Sequence, residues 1–342
     1  MSVCNHKLEV LFDTDKNNVI YDGIIYHSKQ TTDNVTISQN SIAIGFDRSS
    51  KKKKEEILDS PRSIIRYHLQ KALCFYLVTQ GELPPVKDIV YTCGKETVSI
   101  QHEHFTCHWN NCKVSITLPV ENAKVIFESE KGKPFYVIIT HFLKAQLDHF
   151  SHDRFRSAWS TLNAFYTYID ALSNSGYRRE EDKLSTLGMI IDNNEMYNSL
   201  SFVKSLDSTR FWSDLSWYSV FNGLSEKNMR KFFNGSSYND TELIKCFYKY
   251  MNGIQHIEEE FPDVKEEFTA KITRRTINRP SDKLKFIVCK YCYNKRNNSY
   301  HAVEAYPLFV ISECSETNIE QKLTEIILLT VKDLFIIYSG NL

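Results

Sequence analysis

The hydrophobic period changes once along this chain, near residues 140–150, and that change decides what each part can fold into. Before it, apolar and polar residues alternate in short runs: Leu8-Glu-Val-Leu-Phe12, Val19-Ile-Tyr21, Ile24-Ile-Tyr26, Val35-Thr-Ile37 and Ile42-Ala-Ile44. Turn-forming segments separate them, among them Asp13-Thr-Asp-Lys-Asn-Asn18 and Asp22-Gly23. Period-two alternation bounded by such residues predicts strands. One helix interrupts the series. From Glu55 to Gln80, Ile57, Ile64, Ile65, Leu69, Ala72 and Leu73 recur near helical spacing, and Asp59-Ser-Pro-Arg62 offers a start because proline suits a first turn. Gly81 to Pro85 ends it. Strands are read again at Ile89-Val-Tyr91, Thr97-Val-Ser-Ile100, Val114–Leu118, Ala123–Phe127 and Phe135–Ile139. Residues 1–145 therefore read as an α+β domain, an antiparallel sheet plus one long helix.

After that point alternation stops. Ser151 or Asp153 is placed to cap a helix whose one face carries Phe155, Ala158, Trp159, Leu162, Phe165, Tyr166 and Ile169. Helical patterns follow near 180–193, 211–222, 225–233 and 240–260. Lys283 to Lys295 puts Leu284, Ile287, Val288, Tyr291 and Cys292 on one face. Thr317-Asn-Ile-Glu320 has capping-box spacing and opens a last helix with Leu323, Ile326, Ile327, Leu334 and Ile337 inward. Residues 146–342 read as an all-α helical bundle.

Composition narrows the function classes. The formal net charge is +0, so a nucleic-acid partner would have to be met by a local basic surface. No apolar run reaches the roughly 18 residues a membrane helix needs, and the first residues lack a basic-then-apolar leader pattern. The 9 cysteines are scattered and odd in number, which predicts a reduced, cytoplasmic protein. With 11 glycines and no glycine-rich phosphate loop, nucleotide cofactor binding of the usual kind is not expected. His102, His104, Cys107, His108 and Cys112 concentrate metal-type ligands. Alternation on a strand puts His102 and His104 on one face and sends Cys107 to the other, which favours an ordinary hairpin over zinc. Cys289 and Cys292 share a helix face without a partner pair and read as core. No metal or other cofactor is expected.

The candidate chemistry is Arg296-Asn-Asn-Ser-Tyr-His301. Cleaving RNA without a metal requires a proton to leave the ribose 2′-hydroxyl, a proton to reach the 5′-oxygen, and stabilisation of the phosphorane charge. Histidine titrates near neutrality and moves protons; arginine is always charged and forks onto phosphate oxygens. Allowing about four to six intervening residues, Arg62-Ser-Ile-Ile-Arg-Tyr-His68 fits as well, but there it lies mid-helix among apolar residues and reads as structural. Around Arg296 the interval is polar and the flank is basic: Lys271, Arg274, Arg275, Arg279, Lys283, Lys285, Lys290 and Lys295, against one acid, Asp282. Such a patch suits a phosphate backbone or is simply a solvated face.

Tyr293-Asn-Lys-Arg296-Asn-Asn-Ser-Tyr-His301 resembles the signature of HEPN domains, the higher-eukaryote and prokaryote nucleotide-binding helical bundles. Upstream, Arg154-Phe-Arg-Ser-Ala-Trp159-Ser-Thr-Leu-Asn163-Ala-Phe-Tyr166 resembles the first long helix of bacterial members. The resemblance covers roughly residues 145–342. Many members carry glycine after the histidine, where this chain has Ala302. The resemblance implies a metal-independent endoribonuclease acting by 2′-hydroxyl attack, and a homodimer through the helical domain in which two motifs meet. It further implies an antiphage or toxin effector, with an activator or antitoxin as a further partner. By position Arg296 would stabilise the phosphate, His301 would act as general base or acid, and Asn297 would orient a group by hydrogen bonding. Lys290, Lys295, Asn298 and Tyr300 are candidate RNA contacts, with structural roles open for Asn298 and Tyr300. Asn163 would hydrogen-bond near the site or be a buried, bonded asparagine. The alternative is a non-catalytic RNA-, nucleotide- or partner-binding protein of the same type.

Overall fold

Nine residues of β1 (Cys4–Phe12) lie at the heart of a six-stranded sheet. The computed structural model describes residues 4–28, 31–48, 60, 63–100, 112–128, 131–193, 195–206, 209–215, 266, 270, 279–300 and 315–340. The lysine run at 51–54, Arg62, His102 to Cys107, the helical readings at 225–233 and 240–260, and His301 lie outside these residues. Contacts divide the chain into two units, Met1–Asp148 with Phe335–Leu342, and His149–Leu334.

In the first unit β2 (Val19–Ser28), β3 (Thr31–Ser38), β4 (Ser41–Arg48), β5 (Val86–Cys93) and β6 (Glu96–Ile100) join β1 in the order β2-β3-β4-β1-β5-β6. Every pairing is antiparallel. Alternation sends Leu8, Val10, Phe12, Val35, Ile37, Ile42, Ile44, Ile89 and Tyr91 to one buried face. Two histidines are buried in this unit, His6 on β1 and His68 on the helix Ile64–Gln80. His6 Nδ1 lies 2.6 Å from the Tyr91 hydroxyl, with its ring stacked on Phe46. His68 Nδ1 lies 3.1 Å from Asp33 Oδ2, both side chains 1% exposed. The histidine of the second Arg-His spacing is thus held in the core. The Asp22-Gly23 pair, expected to turn the chain, sits inside β2 instead. Tyr21 folds back over Gly23, where a Cβ would meet its hydroxyl at 2.6 Å, and stacks on Phe127. Glycine there serves a close approach, not a turn.

Helix α1 (Ile64–Gln80) starts at Ser63, whose hydroxyl accepts from the Arg66 amide, and ends at Gly81 in the left-handed conformation with φ 83°. Three expected strands are not strands. Ala123–Phe127 forms the end of α2 (Val120–Ala123) and a 3₁₀ turn (Lys124–Phe127), and Phe135–Ile139 belongs to α3 (Gly132–Leu147). Phe135, Ile138, Ile139, Phe142 and Leu143 are all buried, a helical stripe that overrides the β-branched run. Within Val114–Leu118 the main chain of Ile116 is satisfied by one side chain, donating to Gln146 Oε1 at 2.8 Å and accepting from Nε2 at 3.1 Å. The chain's last residues also belong here and not with the bundle. Phe335 meets Phe135 edge-on, and Asn122 Nδ2 donates to Ser339 Oγ.

The second unit is helical, with no strand among its described residues. It contains α4 (Ser151–Ser173), α5 (Glu180–Asp192), α6 (Tyr197–Ser205), α7 (Thr209–Asp214), α8 (Pro280–Phe286), a π-helical segment (Ile287–Cys292), α9 (Tyr293–Tyr300) and most of α10 (Ser315–Ser339). The expected α4 face is buried throughout. Neither expected cap operates: the helix begins after Phe150, and Ser151 Oγ donates to Glu320 Oε2. Helix α10 already starts at Ser315, two residues before Thr317 of the expected capping box, and Glu320 is buried. The amides of Asn198 and Ser199 at the head of α6 donate to the buried Asp333 carboxylate of α10. No helix among the described residues is long and apolar enough to cross a membrane.

Candidate functional site

Arg296 is delivered by one continuous helical run from Pro280 to Tyr300 whose middle is a π turn. The i→i+5 pattern adds a residue to the helical register and is frequent at functional sites. Leu284, Val288, Tyr291 and Lys295 follow the spacing i, i+4, i+7, i+11 and are all buried. Arg296 comes one residue later, about 100° further round the helix. Its side chain is 19% exposed.

Three groups meet there. Arg296 Nη1 lies 3.3 Å from Glu180 Oε2, and it donates to Asn297 Oδ1 at 2.8 Å. The other oxygen of Glu180 accepts from the Tyr166 hydroxyl. Tyr166 is 2% exposed. Burial pushes its hydroxyl far above the ordinary phenol value, and the hydrogen bond to Glu180 and that carboxylate's charge add to the shift against the opposing pull of Arg296. It is a permanent donor at any working pH. The rings also connect: Trp159 packs against Tyr166 at 6.4 Å and against Tyr293 at 6.2 Å between centroids. The two segments that carry the family resemblance, far apart in sequence, are thereby in contact.

Glu180 is placed by a short connection between α4 and α5. Asn174 and Gly176 adopt positive φ there. Asp170 Oδ1 accepts from Ser175 Oγ and the Tyr177 amide, while Oδ2 pairs with Lys183. The hydrogen bond from Ser175 leads the interactions that hold the Asp170 carboxyl below its ordinary value. Sequence reasoning missed Glu180. The acidic first turn, Glu180-Glu-Asp182, marks a helix start that suits the helix dipole, but says nothing of which acid reaches Arg296.

Among the described residues, four cations of the expected basic patch, Arg279, Lys285, Lys295 and Arg296, have acidic partners. Arg279 forks onto Asp282 with two bonds of 2.9 Å, and Lys285 pairs with Asp192 at 2.7 Å. Lys283 is buried. Lys295, expected to touch RNA, is 3% exposed and lies 3.2 Å from Glu320 Oε1, so it is a core cation and no surface contact. His152 Nδ1 approaches the same oxygen at 3.5 Å. Burial alone would raise the Glu320 carboxyl; the hydrogen bond and charge of His152 and the charge of Lys295 outweigh it and hold the group below its ordinary value. Lys290 is half-buried, and its carbonyl accepts from Asn294. The side chains of Asn298 and Tyr300 and all of His301 lie outside the described residues, as do Lys271, Arg274 and Arg275. Asn163 is half-buried and accepts from Thr167.

Cys289 and Cys292 are buried in the π segment, where burial pushes the first thiol up to about 12 and raises the second as well. Neither is poised as a thiolate ligand. Among the described residues no group of metal-type side chains is large enough to hold an ion. Chemically, the site offers a guanidinium fixed by two acceptors and partly shielded from water, an arrangement suited to an oxyanion. Compared with known proteins, the chain matches no family model, no curated protein and no solved structure.

Proposed function

We propose that the helical unit is a metal-independent endoribonuclease of HEPN type that cleaves RNA by 2′-hydroxyl attack. The observation that carries this reading is the clustering of Tyr166, Glu180, Arg296 and Asn297, which joins both segments of the resemblance around one held guanidinium. In this reading Arg296 stabilises charge on the pentavalent phosphate. His301 takes the 2′-hydroxyl proton or returns one to the 5′-oxygen. Asn297 orients the guanidinium through its Oδ1. The protein acts in the cytoplasm as a homodimer, as an antiphage or toxin effector restrained until an activator or the loss of an antitoxin releases it.

The ion pairs of Arg279, Lys285, Lys295 and Arg296 favour a second reading, a non-catalytic RNA-, nucleotide- or partner-binding protein, because they lower the positive charge a backbone would meet. One experiment separates the two. Labelled RNA is incubated with the full chain in EDTA, beside Arg296→Ala and His301→Ala. Cleavage that persists in EDTA, leaves 2′,3′-cyclic phosphate ends and is lost in both variants supports the ribonuclease. RNA that stays intact but is retained by wild-type protein supports binding alone.

A further inference from the structure

We propose that Tyr166 is a positioning residue for Arg296, acting through Glu180. Glutamate has three rotatable side-chain bonds, and one contact to an arginine would leave both partners mobile. Here the carboxylate is held at both oxygens, by the Tyr166 hydroxyl on one and by Arg296 Nη1 on the other. Tyr166 is itself enclosed, 2% exposed. Its ring is buried against Trp159, and Trp159 rests on Tyr293, one turn before Arg296 on the same helix. The contacts close a loop: Arg296 to Glu180, to Tyr166, to Trp159, to Tyr293 and back to α9. A closed loop that includes three packed rings fixes the direction of the guanidinium more tightly than the 3.3 Å contact to Glu180 and the bond to Asn297 would without it.

The inference rests on the ribonuclease reading only in its kinetic arm. The other arm is the guanidinium NMR signal of Arg296 in labelled full-length protein, assigned by its loss in Arg296→Lys. Rotation that is restricted in wild type should become faster in Tyr166→Phe, which keeps the ring and its packing. Glu180→Ala, at a half-buried helix start, should give the same change should Tyr166→Phe fold poorly, and the exposed Tyr197→Phe should give none. With RNA, Tyr166→Phe should lower kcat about 10-fold at unchanged KM, and should cost nothing further in an Arg296→Lys background. An Arg296 signal that both variants leave unchanged overturns the inference, whatever happens to the rate. A freed guanidinium with unchanged kcat overturns its role in the reaction. A freed guanidinium in a protein that never cleaves RNA keeps Tyr166 as the positioning residue and removes the ribonuclease.

Discussion

Lys295 and Glu320 meet at 3.2 Å with side chains 3% and 7% exposed, an ion pair closed off from water. Removing one partner of such a pair strands the other charge, which typically costs about 3–5 kcal/mol. Lys295→Met should therefore lower the unfolding free energy by about 3 kcal/mol, the lower end because Ser151 and His152 still serve Glu320. Urea unfolding measures it. A variant that keeps its stability and loses RNA binding would show that Lys295 reaches substrate after all.

Glu320 also sets part of the acid limit. Its carboxyl titrates below the ordinary value in the folded protein, so its stabilising contribution is complete above the unfolded-state value of about 4.3 and is lost as pH falls through the lower folded value. Glu320→Gln should flatten the acid limb of the stability curve between those two points. Parallel acid limbs for variant and wild type would remove Glu320 from that role.

Lys295 also shows how far the sequence could be read. It continues the stripe of Leu284, Val288 and Tyr291, so its burial was legible from spacing; a charged residue amid basic neighbours was read as surface instead. The faces of α4 and α8–α9 were legible for the same reason, because amphipathic periodicity is local. Phe135–Ile139 was misread because five apolar residues fit a strand as well as a helix. Only the longer stripe through Phe142 and Leu143 separates the two. Glu180 and Glu320 were out of reach: the acids that neutralise Arg296 and Lys295 come from other helices, and no spacing rule links them. The acid partners of Lys285, Lys295 and Arg296 are likewise tertiary, whereas that of Arg279, Asp282, is three residues along the chain.

Lys71 makes a prediction with the same sign of pH dependence, moved to the alkaline end. It is 3% exposed, donates to the Ile126 carbonyl at 2.8 Å and sits over the Tyr67 and Tyr136 rings. Burial lowers its amine to about 8. The unfolded chain keeps that proton up to about 10.4, so between the two values the unfolded state binds more protons and stability climbs with pH. The climb is on the order of 3 kcal/mol at most. Lys71→Met removes the buried charge. It should be the more stable protein at pH 7, with the gap to wild type narrowing as pH rises toward 10. A gap that stays constant would show that Lys71 holds its ordinary proton in the folded state.

The ion pairs around Arg296 predict which lysines RNA can feel. A phosphate contact releases counterions, and each one made with single-stranded RNA adds about 0.7 to the slope of log affinity against log salt. Lys285 is committed to Asp192 at 2.7 Å, so its charge is already compensated. Among the described residues Lys290 is in no such pair, and it lies one turn and a half before Arg296 on the same run. Lys290→Ala should therefore reduce the salt slope by about 0.7, while Lys285→Ala leaves it unchanged. The measurement is an RNA titration of the cleavage-deficient His301→Ala protein over a range of salt concentrations. Equal reductions in both variants would mean that RNA displaces Asp192 and that the pairs seen here open on binding. A slope that neither substitution alters would move the RNA path away from this face of the helix.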